Sequence, residues 1–218
     1  MSAYFVTGTD TGVGKTFVCC ALLHRLARAG LSAIGMKPVA AGLDANGCHE
    51  DVALLRAASS VAAASELVNP FAFKSPIAPH LAAAEEGREI RFAPIHHALD
   101  ALRRQADVVV VEGVGGFRVP LGPEGDSADL AQTLGLPLIL VVGLRLGCLN
   151  HALLTVEAIQ ARGLTLAGWV ANSIDPSMPK REENITTLRE SITAPLLGIL
   201  DHQTSPDVAQ AANGLSLP

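Results

Sequence analysis

A chain of 218 residues with 49% hydrophobic and only 17% charged residues can bury a sizeable core and is too apolar for disorder. Its 16 basic and 21 acidic residues give a formal charge of −5, and it has no basic arm or stripe, which argues against nucleic acid as a partner. No apolar run approaches the roughly 20 residues of a membrane helix, and the start carries no signal-peptide pattern.

The first apolar stretch, residues 4–7, reads as a buried strand. It runs into Gly8-Thr9-Asp10-Thr11-Gly12-Val13-Gly14-Lys15-Thr16, and residues 16–29 read as a helix. A glycine-rich turn between strand and helix, closed by Lys-Thr, is suited to phosphate: backbone N–H groups and the helix N-terminus face the anion. Lys15 would reach the outer phosphates and the Thr16 hydroxyl a Mg²⁺ ion. Five residues separate Gly8 from Gly14 where the common pattern has four, so this is a variant P-loop.

Further strands are expected at residues 33–37, 107–112, 138–142, 167–172 and 196–200, and further helices at 92–106, 150–162, 179–191 and 206–213. Residues 41–91, interrupted by Pro70, Pro76 and Pro79, read as loops and short helices over a site. The strands are continuous apolar runs such as Val108-Val109-Val110-Val111, the pattern of a parallel sheet covered on both faces. The expected fold is therefore α/β: one domain over residues 1–218, doubly wound, mainly parallel and P-loop NTPase-like. In such sheets ligands bind beyond the carboxyl ends of the strands, where the polar residues of six loops converge.

Several of these residues have two readings. Glu112 ends the valine strand before a glycine run and resembles a metal-holding carboxylate more than a turn acid. Lys37 precedes Pro38; alone it would be a lysine escaping to solvent, but beside a phosphate site it is a second cation for developing charge. Asp51, before the apolar residues 52–57, is either a helix cap or a second Mg²⁺ carboxylate. Gly147-Cys148-Leu149-Asn150 opens a helix and could receive an anion, or Asn150 could be an ordinary cap. His24, His96, His97, His151 and His202 have no metal spacing, and His49-Glu50 forms no transition-metal motif, while His80, closing Ser75-Pro76-Ile77-Ala78-Pro79-His80, could line the site. The four cysteines, Cys19, Cys20, Cys48 and Cys148, suit a reducing cytoplasm better than a disulfide framework.

Together these motifs resemble the dethiobiotin synthetase family. The resemblance rests on Gly8 to Thr16, Lys37-Pro38-Val39, Asn69-Pro70, Ser75-Pro76-Ile77-Ala78-Pro79-His80 and Val111-Glu112-Gly113-Val114-Gly115-Gly116. It extends to Leu146-Gly147-Cys148-Leu149-Asn150-His151 and Ala167-Gly168-Trp169-Val170-Ala171-Asn172, nearly the whole chain. It implies a cytoplasmic homodimer that joins 7,8-diaminononanoate and CO₂ with MgATP, giving dethiobiotin, ADP and phosphate through a carbamate and a mixed anhydride. It further implies Mg²⁺ on Thr16, Asp51 and Glu112, with Lys37 and Lys15 catalytic. ATP would lie on Gly12, Val13, Gly14, Lys15, Thr16, Phe17, Asp51, Glu112, Gly113, Val114 and Gly115. Asn172, Ser173, Asp201, His202 and Gln203 would surround adenine. Thr11, Lys37, Ala41 and, across the dimer interface, Gly147, Cys148, Leu149 and Asn150 would meet the substrate. Gly12, Ala41 and Asn184 depart from the Glu, Ser and Tyr of some members.

Two rivals share the P-loop. A related carboxyl-activating ligase of the amidating kind usually carries a glutaminase domain, for which 218 residues leave no room. A partitioning or cell-division ATPase switch typically has an extra lysine early in the loop, and residues 8–13 contain none.

Overall fold

The structure is a computed structural model that describes residues 2–45 and 47–218. In chain order, β1 (Ser2–Gly8) leads into α1 (Lys15–Arg28), β2 (Ala33–Met36), β3 (Val39–Ala41), α2 (Glu50–Ala58), α3 (Ser65–Val68), β4 (Phe71–Phe73), α4 (Pro79–Glu85) and α5 (Phe92–Arg103). Then follow β5 (Val108–Glu112), β6 (Pro120–Gly122), β7 (Gly125–Asp126), α6 (Ser127–Leu134), β8 (Leu138–Leu144) and α7 (Cys148–Ala161). The chain ends with β9 (Leu166–Ser173), α8 (Arg181–Ser191), β10 (Leu196–Leu200), α9 (Val208–Ala211) and a 3₁₀ turn, Ala212–Gly214.

The main sheet has six strands in the order β10-β9-β8-β1-β5-β2, and every neighbouring pair is parallel. This is the doubly wound arrangement expected from the apolar strand runs. Because side chains alternate along a strand, Val109 and Val111 join Phe5, Met36, Ile95 and Leu99 on one face, while Val108 and Val110 join Val6, Val18, Leu22 and Leu23 on the other. A third cluster packs Leu140, Val142 and Trp169 against Val156, Ile185 and Leu188 of α7 and α8. A fully buried side chain of this kind contributes roughly 1.5–3 kcal/mol over an exposed one.

Several expected boundaries shift. Helix 92–106 stops at Arg103, helix 179–191 begins at Arg181 after Lys180 in a left-handed conformation (φ 57), and helix 206–213 shrinks to one α-turn and a 3₁₀ turn. Helix 150–162 starts earlier, at Cys148, so Asn150 lies inside its first turn and is not its cap. Two short pairs, parallel β3–β4 and antiparallel β6–β7, and the helix α6 lie outside the elements expected from sequence. α6 is closed by a capping box in which Asp126 accepts from the Asp129 amide and Asp129 accepts from the Asp126 amide.

Candidate active site

The loop after β1 closes on itself before any ligand is considered. Asp10 Oδ1 accepts from the Thr11 amide at 2.7 Å, and Lys15 Nζ donates to the Asp10 carbonyl at 3.1 Å. Arg145, after β8, donates to Asp10 Oδ2 at 2.5 Å. α1 then begins with Gly14 as its N-cap and no side-chain cap, which leaves first-turn N–H groups free for an anion. Gly14 has φ 86, and a Cβ there would lie 2.2 Å from Asn172 Nδ2. Only glycine allows both that backbone conformation and that contact. Asn172 in turn donates to the Val13 carbonyl at 2.8 Å, so the end of β9 clamps the loop.

Three charged side chains meet beside it. Lys37 Nζ lies 2.5 Å from Glu112 Oε1 and 2.9 Å from Asp51 Oδ2, and Thr16 Oγ1 donates to the same Glu112 oxygen at 2.8 Å. Lys37 is aimed inward by its neighbours: its amide donates to Val68 O at 2.8 Å, and its carbonyl accepts from Asn69 Nδ2 at 2.6 Å. Pro38 also bars it from helical conformation. Lys37 is only 4% exposed, so it does not escape to solvent.

Asp51 is not a helix cap. The cap of α2 is His49, whose ring accepts from the Asp51 amide, and the Asp51 carboxylate turns to Lys37. Burial would raise the Asp51 pKa, but the charge and hydrogen bond of Lys37, with a bond from Thr16, hold it below the ordinary carboxylate range. Burial opposes the charge on Lys37 as well, yet Glu112 and Asp51 outweigh it and leave its pKa above that of a free lysine. Lys15 goes the other way: burial, with Lys37 nearby, lowers its pKa. The site thus holds one strongly stabilised ammonium and one that lacks a carboxylate of its own.

These groups line a cleft of about 750 Å³. Its polar end is formed by Thr11, Gly12, Gly14, Lys15, Thr16, Lys37, Asp51 and Glu112, and its apolar wall by Ala40, Ala41, Pro76, Ile77, Val114 and Val119. A second hollow of about 300 Å³ shares Gly12 with the first and brings together Phe17, Asn172, Ser173, Asp201, His202 and Gln203. Val13 and Gly113 line neither: Val13 is buried, and a Cβ on Gly113 would lie 3.0 Å from the Phe5 ring. Gly147, Cys148, Leu149 and Asn150 also line neither hollow, and Cys148 is buried in the core. Asn184 lies in the first turns of α8, bonded to the Lys180 carbonyl. His80 faces a separate hollow with Arg88 and Leu121.

The donors fit a Mg²⁺ ion. Glu112 Oε2 is buried without a hydrogen-bond partner among the described residues, beside the Thr16 hydroxyl and the Asp51 carboxylate. Oxygen-only donors of this type suit Mg²⁺, which keeps several waters and substrate phosphates in its shell. Among the described residues no group of three or more His, Cys, Asp or Glu side chains is placed to hold a metal, so such an ion would depend on the phosphates as well. The sequence places Arg145 in the polar loop after the fourth strand without a partner, and gives His49 and Val119 no role in the site. The histidine alone had a signal, its place just before a helix start.

The family model described as an AAA domain matches residues 2–209. Solved structures share the fold: the MinC:MinD cell division complex of Aquifex aeolicus (TM-score 0.59, 12% identity, covering 100% of this chain and 98% of that one). Another is the septum site-determining protein MinD from Pyrococcus horikoshii, complexed with Mg-ADP (TM-score 0.57, 14% identity, 98% and 86% covered). Among curated proteins, the ATP-dependent dethiobiotin synthetase BioD of Aromatoleum aromaticum is 61% identical over 99% of this chain and 97% of its own. That of Nitrosospira multiformis is 52% identical over 98% and 94%. Identity of this order along the full length of both chains, with the phosphate loop and its paired lysines in place, makes this protein a member of the ATP-dependent dethiobiotin synthetase family.

Proposed function

We propose that the protein closes the ureido ring of dethiobiotin from 7,8-diaminononanoate, CO₂ and MgATP. The observation that carries this is the placement of Lys37 at the junction of the phosphate loop and the apolar wall, held by Glu112 and Asp51. One substrate amine adds to CO₂ and loses a proton, giving a carbamate. A carbamate oxygen takes the γ-phosphoryl group of ATP, and ADP leaves. The second amine attacks the carbonyl carbon of this mixed anhydride, loses its proton and expels phosphate.

Each residue has a task in that sequence. The free amides at the start of α1 and Lys15 receive the phosphates, and Lys15, with no carboxylate of its own, is left for the transferring group. Lys37 holds negative charge on the carbamate and its phosphorylated product. Thr16, Asp51 and Glu112 would hold Mg²⁺, which neutralises phosphate charge during transfer. Val114, Ala41 and Ile77 offer the aliphatic chain a dry wall. Asn172, Ser173, Asp201, His202, Gln203 and Phe17 surround the adenine in the second hollow, and Gly12, Gly14 and Gly115 border the phosphates. The chemistry needs no protein nucleophile. Holding amine, CO₂ and γ-phosphate together provides much of the rate.

The chain acts as one domain and as a cytoplasmic homodimer. Leu146, just before α7, is 93% exposed and Leu154, in the middle of that helix, is 56% exposed, apolar surface suited to a second copy. Gly147 to Asn150 would then receive the substrate carboxylate of the neighbouring site. Among the described residues no helix is long and apolar enough to cross a membrane. The test is incubation of the purified protein with diaminononanoate, bicarbonate and MgATP. Mass spectrometry should find dethiobiotin formed in step with ADP. ATP turnover without that product would overturn the reading.

A further inference from the structure

His49 has no part in the chemistry above. Its ring is nevertheless held at both nitrogens on the wall of the cleft. Nδ1 lies 3.2 Å from the Asp51 amide nitrogen, and Nε2 lies 3.1 Å from the Ala41 carbonyl oxygen. An amide can only donate and a carbonyl can only accept. The two contacts together therefore require the tautomer with its proton on Nε2. The side chain is 13% exposed, so these bonds are largely shielded from water.

The ring is thus a strut between the end of β3 and the first turn of α2. Among the described residues between them, 42–45 and 47–49, none lies in a helix or strand. Beyond the Lys37–Asp51 pair, the body and end of α2 are anchored by Leu55, which is fully buried and lies close to Gly35 of β2, and by Ser59, whose Oγ accepts from the Gly35 amide at 2.9 Å. Leu55 is about one turn from Asp51, so it holds the helix body rather than its start. The Asp51 carboxylate is 32% exposed on its side chain and must reach toward Lys37 and Thr16 from that start.

We propose that His49 is a positioning residue: by bridging the Ala41 carbonyl and the Asp51 amide it holds the Asp51 carboxylate in place for a nucleotide-bound Mg²⁺. The inference rests on Asp51 being a Mg²⁺ ligand. The competing role is a helix cap and nothing more.

Two variants separate these roles. His49→Asn keeps an acceptor for the Asp51 amide but is too short to reach Ala41, whereas His49→Ala removes both bonds. ADP binding is titrated calorimetrically with Mg²⁺ and with chelator, and thermal melting is recorded in parallel. The readout is the gain in ADP affinity that Mg²⁺ provides. His49→Asn should keep the melting temperature yet reduce that gain about fivefold, the worth of one neutral hydrogen bond. His49→Ala should lower both. If His49→Asn restores the full gain together with the melting temperature, His49 is a cap only and the proposal is wrong. Should His49→Ala fail to fold, the His49→Asn result decides alone. Asp51→Asn serves as the control and should lose the gain. If it retains the gain of the native protein, the metal reading of Asp51 fails and takes the proposal with it.

Discussion

Replacing Lys37 by Gln tests whether the site's central lysine is also part of the fold. A lysine at a strand end would be expected to leave stability intact when changed. The structure says otherwise, because Lys37 is 4% exposed and its partner Glu112 is 1% exposed. Removing one member of a buried ion pair typically costs about 3–5 kcal/mol, because the remaining charge is left unpaired. A glutamine amide returns one neutral hydrogen bond, worth about 1 kcal/mol. Lys37→Gln should therefore lose roughly 3 kcal/mol, out of the 5–15 kcal/mol typical of a domain. The assay is urea denaturation of the nucleotide-free protein, followed by the fluorescence of Trp169, the single tryptophan, which is fully buried in β9. Adding Glu112→Gln to Lys37→Gln removes both charges and should recover most of the loss. Ring closure should be abolished in both variants. A Lys37→Gln protein within about 0.5 kcal/mol of the native one would refute the argument, since that is the behaviour of a solvated side chain.

Three further outcomes are expected. Lys15→Ala should cut turnover on the order of 10²–10³-fold, and because burial lowers the Lys15 pKa, nucleotide affinity should fall as pH rises through a value below 10.5, as followed by calorimetry across pH. The sign for stability follows: a lysine with a lowered folded pKa penalises the native state at low pH, and the penalty lifts as pH rises through that folded pKa toward the unfolded value. Gly14→Ala, with its Cβ 2.2 Å from Asn172 Nδ2 and φ 86, should lose nucleotide binding and melt at lower temperature; native-like binding would contradict the loop geometry. Mixing Lys37→Gln with Gly147→Asp should restore activity in up to about half of the heterodimer's sites if each site uses both subunits; no recovery, with subunit exchange confirmed, would place each site within one chain.

Local chemistry made much of the fold legible. An uninterrupted valine run is buried on both faces wherever it sits, so Val108 to Val111 announce a parallel sheet without reference to the rest of the chain. The phosphate loop is equally local: strand, glycines, Lys-Thr and helix are contiguous, and the structure places them as read. α6 was readable in principle, because Asp126 and Asp129 have capping-box spacing, but a helix of only eight residues spans too few turns for its apolar stripe to register as a period. The pairs β3–β4 and β6–β7 have three residues or fewer per strand, too short for any repeat to register.

Residue types and order along the chain thus determined the fold class, the phosphate loop and the candidate charges. Tertiary structure alone decided how those charges meet. Lys37 and Glu112 are 75 residues apart in sequence and become neighbours because β2 pairs with β5, a register no local pattern encodes. Asp51 read equally well as a cap or a ligand because both roles favour an acid before a helix. The ambiguity ended when His49 took the cap and freed the carboxylate for Lys37. Burial decided the rest: a lysine beside proline could face water or the core, and only the packing of α2, β2 and the Asn69 turn around it turned Lys37 inward.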